Sequence, residues 1–331
     1  MEAIAGMFVD SLRQPVLAFL LAGMVVGAAN SKLRIPEAVY QLCVLMLLLK
    51  IGLAGGMAIR NGDISEMIVP AIISAILGIG IVLLGSVTLA RLPGVKNDDA
   101  IATVGLFGAV SASTLAVAMV ALENSGIYFE GWMPALYPFM DIPALLTAIV
   151  LANIHLAKQN TNYEKVDIVP IIKDSLRGQA ITILIVGVTL GLLARPEGVY
   201  ESFFGPLFMG FLSILMLSSG IEASRRLKEL LACAHWYIMY AFLGPLVHGL
   251  AGFGLGYIAH LLVGLSPGGV ILLAIVAASS ADISGPPTIR AGIPSANPSV
   301  YQGTSTGLGT TVVIALYVPL FLAMGKAVFG L

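Results

Sequence analysis

The strongest constraint on this chain is the length of its apolar runs. A helix needs about 20 apolar residues to cross the hydrocarbon core of a bilayer, and residues 36–58, 67–90 and 235–263 each reach that length. Only 11% of the residues are charged, against roughly 25% in a soluble globular domain. A water-facing surface cannot be built from so few charges. Residues 69–84 are apolar on every face, which excludes the alternation of a membrane β-barrel strand. The fold class expected is an all-α integral membrane protein.

Apolar runs fall near residues 15–29, 36–58, 67–90, 100–122, 133–157, 180–194, 203–222, 235–263, 267–289 and 301–329, which predicts about ten transmembrane helices. Twelve Lys and Arg residues, from Lys32 to Arg290, then lie in loops on one side, and only Arg13, Arg60, Arg195 and Lys326 on the other. Basic loops stay in the cytoplasm, so both termini are expected outside it and the polar stretch 158–179 inside, as a cytoplasmic linker. With a net charge of −1 and no long basic cluster, nucleic acid is not an expected partner; membrane lipid is. The first fourteen residues carry Glu2, Asp10 and Arg13 and have no basic, cleavable leader pattern. Cys43 and Cys233 have no metal or redox spacing, and the four histidines no ligand spacing; no cofactor and no enzymatic chemistry is expected.

The linker divides the chain into 1–157 and 180–331, and the two parts echo each other. Gly23 and Gly27 recur 164 residues later as Gly187 and Gly191, and Pro36-Glu-Ala-Val-Tyr40 recurs 160 residues later as Pro196-Glu-Gly-Val-Tyr200. A unit with an odd number of spans, here five, must insert its second copy upside down, which is the inverted repeat of many transporters. In such folds the site lies near the midplane, between interrupted helices.

Matching interruptions occur in the fourth and ninth segments. The fourth carries Gly108, Ala109, Ser111, Ala112, Ser113 and Thr114; the ninth carries Ser279, Ser280, Ala281, Asp282, Ser284, Gly285 and the pair Pro286-Pro287. Two adjacent prolines cannot be carried inside an unbroken helix. Ser111 and Ser279 each stand where a helix start is expected. Two helix N-termini facing each other at mid-membrane offer free NH groups and partial positive charge, so residues 108–113 and 279–282 form a candidate site for a small anion. The competing reading of these small residues is close helix packing alone.

Acids inside a membrane are costly and mark function. Asp141, between Pro138 and Pro143, and Asp282 fulfil that condition, and Asn297, Ser305 and Thr310 add oxygen donors nearby in sequence. Oxygen ligands suit a hard cation, so these five are the candidate sodium ligands, with sodium as the coupling ion. Their alternatives are a helix cap for Asp282 and an ion pair for Asp141. A passive anion channel lined by the same half-helices stays open as an alternative; an intramembrane aspartyl protease, which would need paired Tyr-Asp and Gly-x-Gly-Asp signatures, does not find them here.

Five motifs, residues 35–38, 50–61, 106–111, 135–145 and above all Asp282-Ile-Ser-Gly-Pro-Pro-Thr-Ile-Arg-Ala-Gly-Ile-Pro-Ser-Ala-Asn-Pro-Ser299, closely resemble the cyanobacterial sodium-dependent bicarbonate permease family (SbtA-like), nearly end to end. The resemblance implies bicarbonate as substrate and sodium symport for inorganic carbon uptake across the bacterial plasma membrane. It also implies two inverted five-helix repeats, a core moving elevator-fashion against a gate, a homotrimer, and a PII-like regulatory partner at the cytoplasmic face. The charge asymmetry makes one direct prediction: a cysteine placed beside Lys326 reacts with an impermeant thiol reagent added outside the cell and not with one confined to the cytoplasm.

Overall fold

The computed structural model describes residues 15–62, 65–159, 179–230 and 235–331, together with Val169, Lys173 and Arg177. Cys233 and most of the linker 158–179 lie outside the described residues. Every regular element among those described is helical. Besides short helical turns, in chain order they are α1 (Pro15–Ala28), α2 (Glu37–Asn61), α3 (Ser65–Thr88), α4 (Asn97–Gly108), α5 (Ala112–Asn124), α6 (Tyr137–Gln159), α7 (Gln179–Leu193), α8 (Gly205–Leu230), α9 (His235–Val263), α10 (Pro267–Ala278), α11 (Gly285–Gly292), α12 (Pro298–Gln302) and α13 (Val318–Phe329). π-helical turns at Gly303–Gly309 and Val313–Tyr317 join α12 to α13.

Among the described residues, seven helical stretches are long and apolar enough to cross a membrane, and α1, α7 and α10 are shorter apolar helices. Ile68, Ile72, Ile76, Ile79, Leu83 and Val87 form an exposed apolar stripe along α3, at the i, i+4 and i+3 spacing of one helix face. Water would penalise such a stripe and lipid does not. The chain is a multi-pass membrane protein.

The helices divide into two groups by how they pack. In the first, α1 lies along α8 and α2 lies along α7, and α2 also touches α8. The contacts are made by glycine, because hydrocarbon supplies no hydrophobic drive between helices and close backbone approach must replace it. A Cβ on Gly56 would lie 2.1 Å from the Val188 carbonyl oxygen, and one on Gly220 2.1 Å from that of Leu20. The echoed glycines occupy matching places in these pairs: Gly23 meets Gly220, and Gly187 meets Gly52. Arg60 ties the end of α2 to Glu197 and the Gly191 carbonyl, while Arg225 at the far end of α8 donates to the carbonyls of Ser31 and Leu33, each at 3.1 Å.

The second group contains α3, α6 and α9 with the broken segments α4–α5 and α10–α11. Here α4 packs on α3 and α6, and α10 on α9 and α13. The far ends of the broken segments are clamped in matching ways by carboxylates. Glu130 accepts from the Ser266 amide at 2.6 Å at the start of α10, and Asp99 on α4 accepts from the Asn297 amide at 2.6 Å.

Because the first group depends on backbone contact, it tolerates no added atom at the crossings. Gly56→Ala is expected to destabilise by about 1 to 3 kcal/mol through overpacking, read as a lower unfolding midpoint in detergent. Gly80→Ala, where nothing lies within 4 Å, leaves the midpoint unchanged or raises it slightly.

Candidate substrate and ion site

The two broken segments end beside each other. α4 and α10 are each 12 residues long, or about 18 Å, a little over half the thickness of a hydrocarbon core of roughly 30 Å. Beyond each end the chain turns extended, at Ala109 (ψ 169°) and at Ser279 (ψ 177°), and each of those amides folds back on its own helix, to Leu106 and Val276. In the first segment the helix resumes at Ala112, with Ser111 as N-cap accepting from the Thr114 amide at 3.0 Å. The second resumes only at Gly285, with Pro286 and Pro287 in its first turn.

That restart corrects the sequence expectation, which placed a helix start at residues 279–282. A proline's missing NH costs nothing only in the first turn of a helix, so the Pro pair sets the start at Gly285 and leaves 279–284 non-helical. The pair also removes two of the NH groups that a helix start would otherwise present. The two starts are therefore unequal, and α5 presents more NH donors.

The segments interlock where they cross. The Ala281 amide donates 2.8 Å to the Leu106 carbonyl. The matching amide, Ser111, does not reach Val276 directly; it donates 3.1 Å to Ser279 Oγ, which donates 2.7 Å to the Val276 carbonyl. Ser279 thus relays a backbone bond between two buried chain ends. Ser280 Oγ lies 3.3 Å from Thr310 Oγ1, and Thr310 bonds on to the Ser305 carbonyl at 3.4 Å.

Asp282 reaches across the crossing to α5. Its carboxylate accepts from Ser111 Oγ at 2.9 Å, from the Ala112 amide at 3.1 Å, from the Ser113 amide at 3.4 Å and from Ser113 Oγ. These are the unpaired NH groups and hydroxyls of α5's first turn. Beside it, Asp141 is fully buried; its Oδ1 accepts from the Val110 amide at 3.0 Å and from Ser284 Oγ at 3.1 Å. Ser284 Oγ is also 3.0 Å from the Tyr137 hydroxyl. The second oxygen of Asp141, Oδ2, has no hydrogen-bond partner. Neither acid pairs with a Lys or Arg among the described residues.

A polar cavity of about 700 Å³ leads to this point from the end carrying Arg34 and Arg225. One wall belongs to α2 and α8, with Tyr40, Gln41, Ser218 and Ser219; the other carries Asp282, Pro286 and Thr310.

The structure brings together Gly108, Ala109, Ser111, Ala112, Ser113, Ser279, Ser280, Ala281, Asp282, Asp141 and Thr310. Ser305 is one turn away, its hydroxyl bonded to the Tyr301 carbonyl. Asn297 is not brought in. It is exposed, caps the Ser299 amide and is held by Asp99, ten residues or about 15 Å along α4 from the break. Lys50 is buried away from the crossing, its ammonium 4.1 Å from the centre of the Phe208 ring. Ser284 and Tyr137 are the participants that sequence reasoning passed over; a serine directly before Gly-Pro-Pro, at a helix start, was the available signal for the first.

Among known families, residues 15–326 match the family model described as the Na+-dependent bicarbonate transporter superfamily. No curated protein sequence matches the chain.

The relay at Ser279 predicts unequal costs for two neighbouring serines. Ser279→Ala strands the buried Ser111 amide and is expected to destabilise by about 1 to 3 kcal/mol. Ser280→Ala removes one hydroxyl–hydroxyl contact and costs about 0.5 to 1.5 kcal/mol. Unfolding midpoints of the two variants in the same detergent check the order.

Proposed function

As the chain belongs to the Na+-dependent bicarbonate transporter superfamily, we propose that it is a secondary active symporter that couples bicarbonate entry to the sodium gradient across a bacterial plasma membrane. The observation that carries this reading is the crossing itself. Helix-start donors suited to a small oxyanion and a buried carboxylate with an unpartnered oxygen suited to a cation lie side by side, at the end of a cavity open to one face. An anion bound there is held by the NH groups of Ala112 and Ser113 and by the hydroxyls of Ser111 and Ser113. Sodium is bound by Asp141 and Asp282, with Ser284, Thr310 and Ser305 supplying neutral oxygens. The charges of the two ions offset each other across a few ångströms, and no buried Lys or Arg is needed.

The same reading takes residues 1–157 and 180–331 as inverted five-helix repeats, giving ten spans. The exchanged pairing of α1 with α8 and α2 with α7, the matched glycines and the equal lengths of α4 and α10 support it. The first group of helices then serves as a fixed gate and the second as a core that slides along it, carrying the crossing from one side to the other. The cavity lies on the seam between the two groups and opens at the basic end, the cytoplasmic one by the charge rule; both termini are extracytoplasmic. A homotrimer built on the gate, and a PII-like regulator meeting the cytoplasmic mouth of the cavity, complete the proposal.

Uptake of labelled bicarbonate into vesicles with and without a sodium gradient tests it: a symporter's uptake collapses without the gradient, and uptake that persists unchanged is that of a channel. Asp141→Asn keeps the shape of the side chain and removes its charge. The sodium concentration for half-maximal uptake is then expected to rise roughly tenfold or more, the cost of a lost charge-assisted contact, at a membrane protein yield near normal. An unchanged sodium dependence removes Asp141 from the cation site.

A further inference from the structure

A carboxylate and a bicarbonate ion present the same planar O–C–O unit carrying one negative charge. In this structure that unit already sits on the start of α5, and it belongs to the protein. Asp282 takes two backbone NH groups and two hydroxyls there, through Ala112, Ser113 and Ser111, which are the donors an incoming oxyanion needs. The tether is short of constraints: Asp282 lies in the non-helical bend between Ala281, anchored to the Leu106 carbonyl, and the start of α11. Independently, Asp141 brings a buried, unpartnered Oδ2 to the same place, while its Oδ1 is held by the Val110 amide, next to Ser111, and by Ser284 Oγ, two residues beyond Asp282.

We infer that Asp282 is a tethered stand-in for the substrate anion, and that sodium, bound between Asp141 and Asp282, draws this carboxylate off the start of α5 and so opens the site to bicarbonate. The inference rests on the transport reading above and deepens it into a coupling rule. Without sodium the donors are filled internally and a second anion is repelled by two carboxylates. With sodium the donors are released, and the cation adds its own attraction. Coupling is then reciprocal, as any linkage between two ligands must be: bicarbonate, by holding the donors, keeps Asp282 free for sodium.

The test is binding of labelled bicarbonate to the purified full-length protein, in sodium buffer and in buffer with choline replacing sodium. Wild type is expected to bind only with sodium. Asp282→Ala and Asp282→Asn are expected to bind without it, with an affinity in choline improved roughly tenfold or more, since apparent affinity scales with the fraction of molecules whose site is open. If both variants keep the full sodium requirement, or lose bicarbonate binding in both buffers, Asp282 is not a stand-in and the inference is overturned. Should removal of this cap prevent folding, Ser113→Ala, read at saturating bicarbonate so that the hydroxyl lost to the anion does not enter, loosens the hold on Asp282 while leaving the backbone donors. It is expected to lower the sodium concentration for half-maximal binding several-fold, and an unchanged or raised requirement overturns the inference equally. Wild type that binds no bicarbonate even in saturating sodium overturns the transport reading itself, and this inference with it.

Discussion

The structure depends on how it finishes four chain ends in the middle of a membrane. A helix end leaves several NH or carbonyl groups without partners, and hydrocarbon offers no water to satisfy them. Here the ends of α4 and α10 bond to each other through Ala281 and through the Ser279 relay, and the start of α5 is filled by Asp282. The crossing is thus a polar knot whose parts require one another. Remove one and a buried group loses its only partner. That requirement explains why small and hydroxyl residues crowd into 108–114 and 279–285: larger side chains would hold the strands apart and break the bonds across them.

Around this knot the two helix groups use different physics. In the group of α1, α2, α7 and α8, backbones touch at glycines and the ends are pinned by Arg60 and Arg225, so relative movement within it would cost many contacts at once. The clamps at Glu130 and Asp99 do the same for the broken segments. Between the groups lies a cavity lined by Gln41, Ser218, Ser219 and Gln302, side chains that can exchange partners with water at little cost. On the proposed transport reading, this polar cavity is where the second group would move along the first, although elsewhere the two groups share one apolar core.

The electrostatics of the site follow from the same economy. Two carboxylates share the crossing with no Lys or Arg against them among the described residues, beside the donors at the start of α5. On the proposed transport reading the carboxylates suit a cation and the donors an anion, so the site would favour the pair over either ion alone, which is what coupling of two ions requires.

The sequence alone determined the membrane class, the number and places of the apolar runs, and the two breaks, because each of these is a property of a local stretch: length of an apolar run, a Pro pair, small residues where a span should be bulky. It also carried the echo of Gly23 and Gly27 in Gly187 and Gly191, since close helix contact admits hardly any other residue. Which donors meet which acceptors was beyond it. Asp282 could be read as a cap of its own helix but caps one some 170 residues earlier; Asn297 looked like one of a dense run of oxygen ligands, but its side-chain oxygen caps the Ser299 amide and its own amide is held by Asp99; Ser279 looked like a helix start but serves as a relay. Those outcomes depend on contacts between segments distant in the chain, and a pattern of residue types has no term for the ångström or two that separates a partner from a neighbour. Only the tertiary structure decides them.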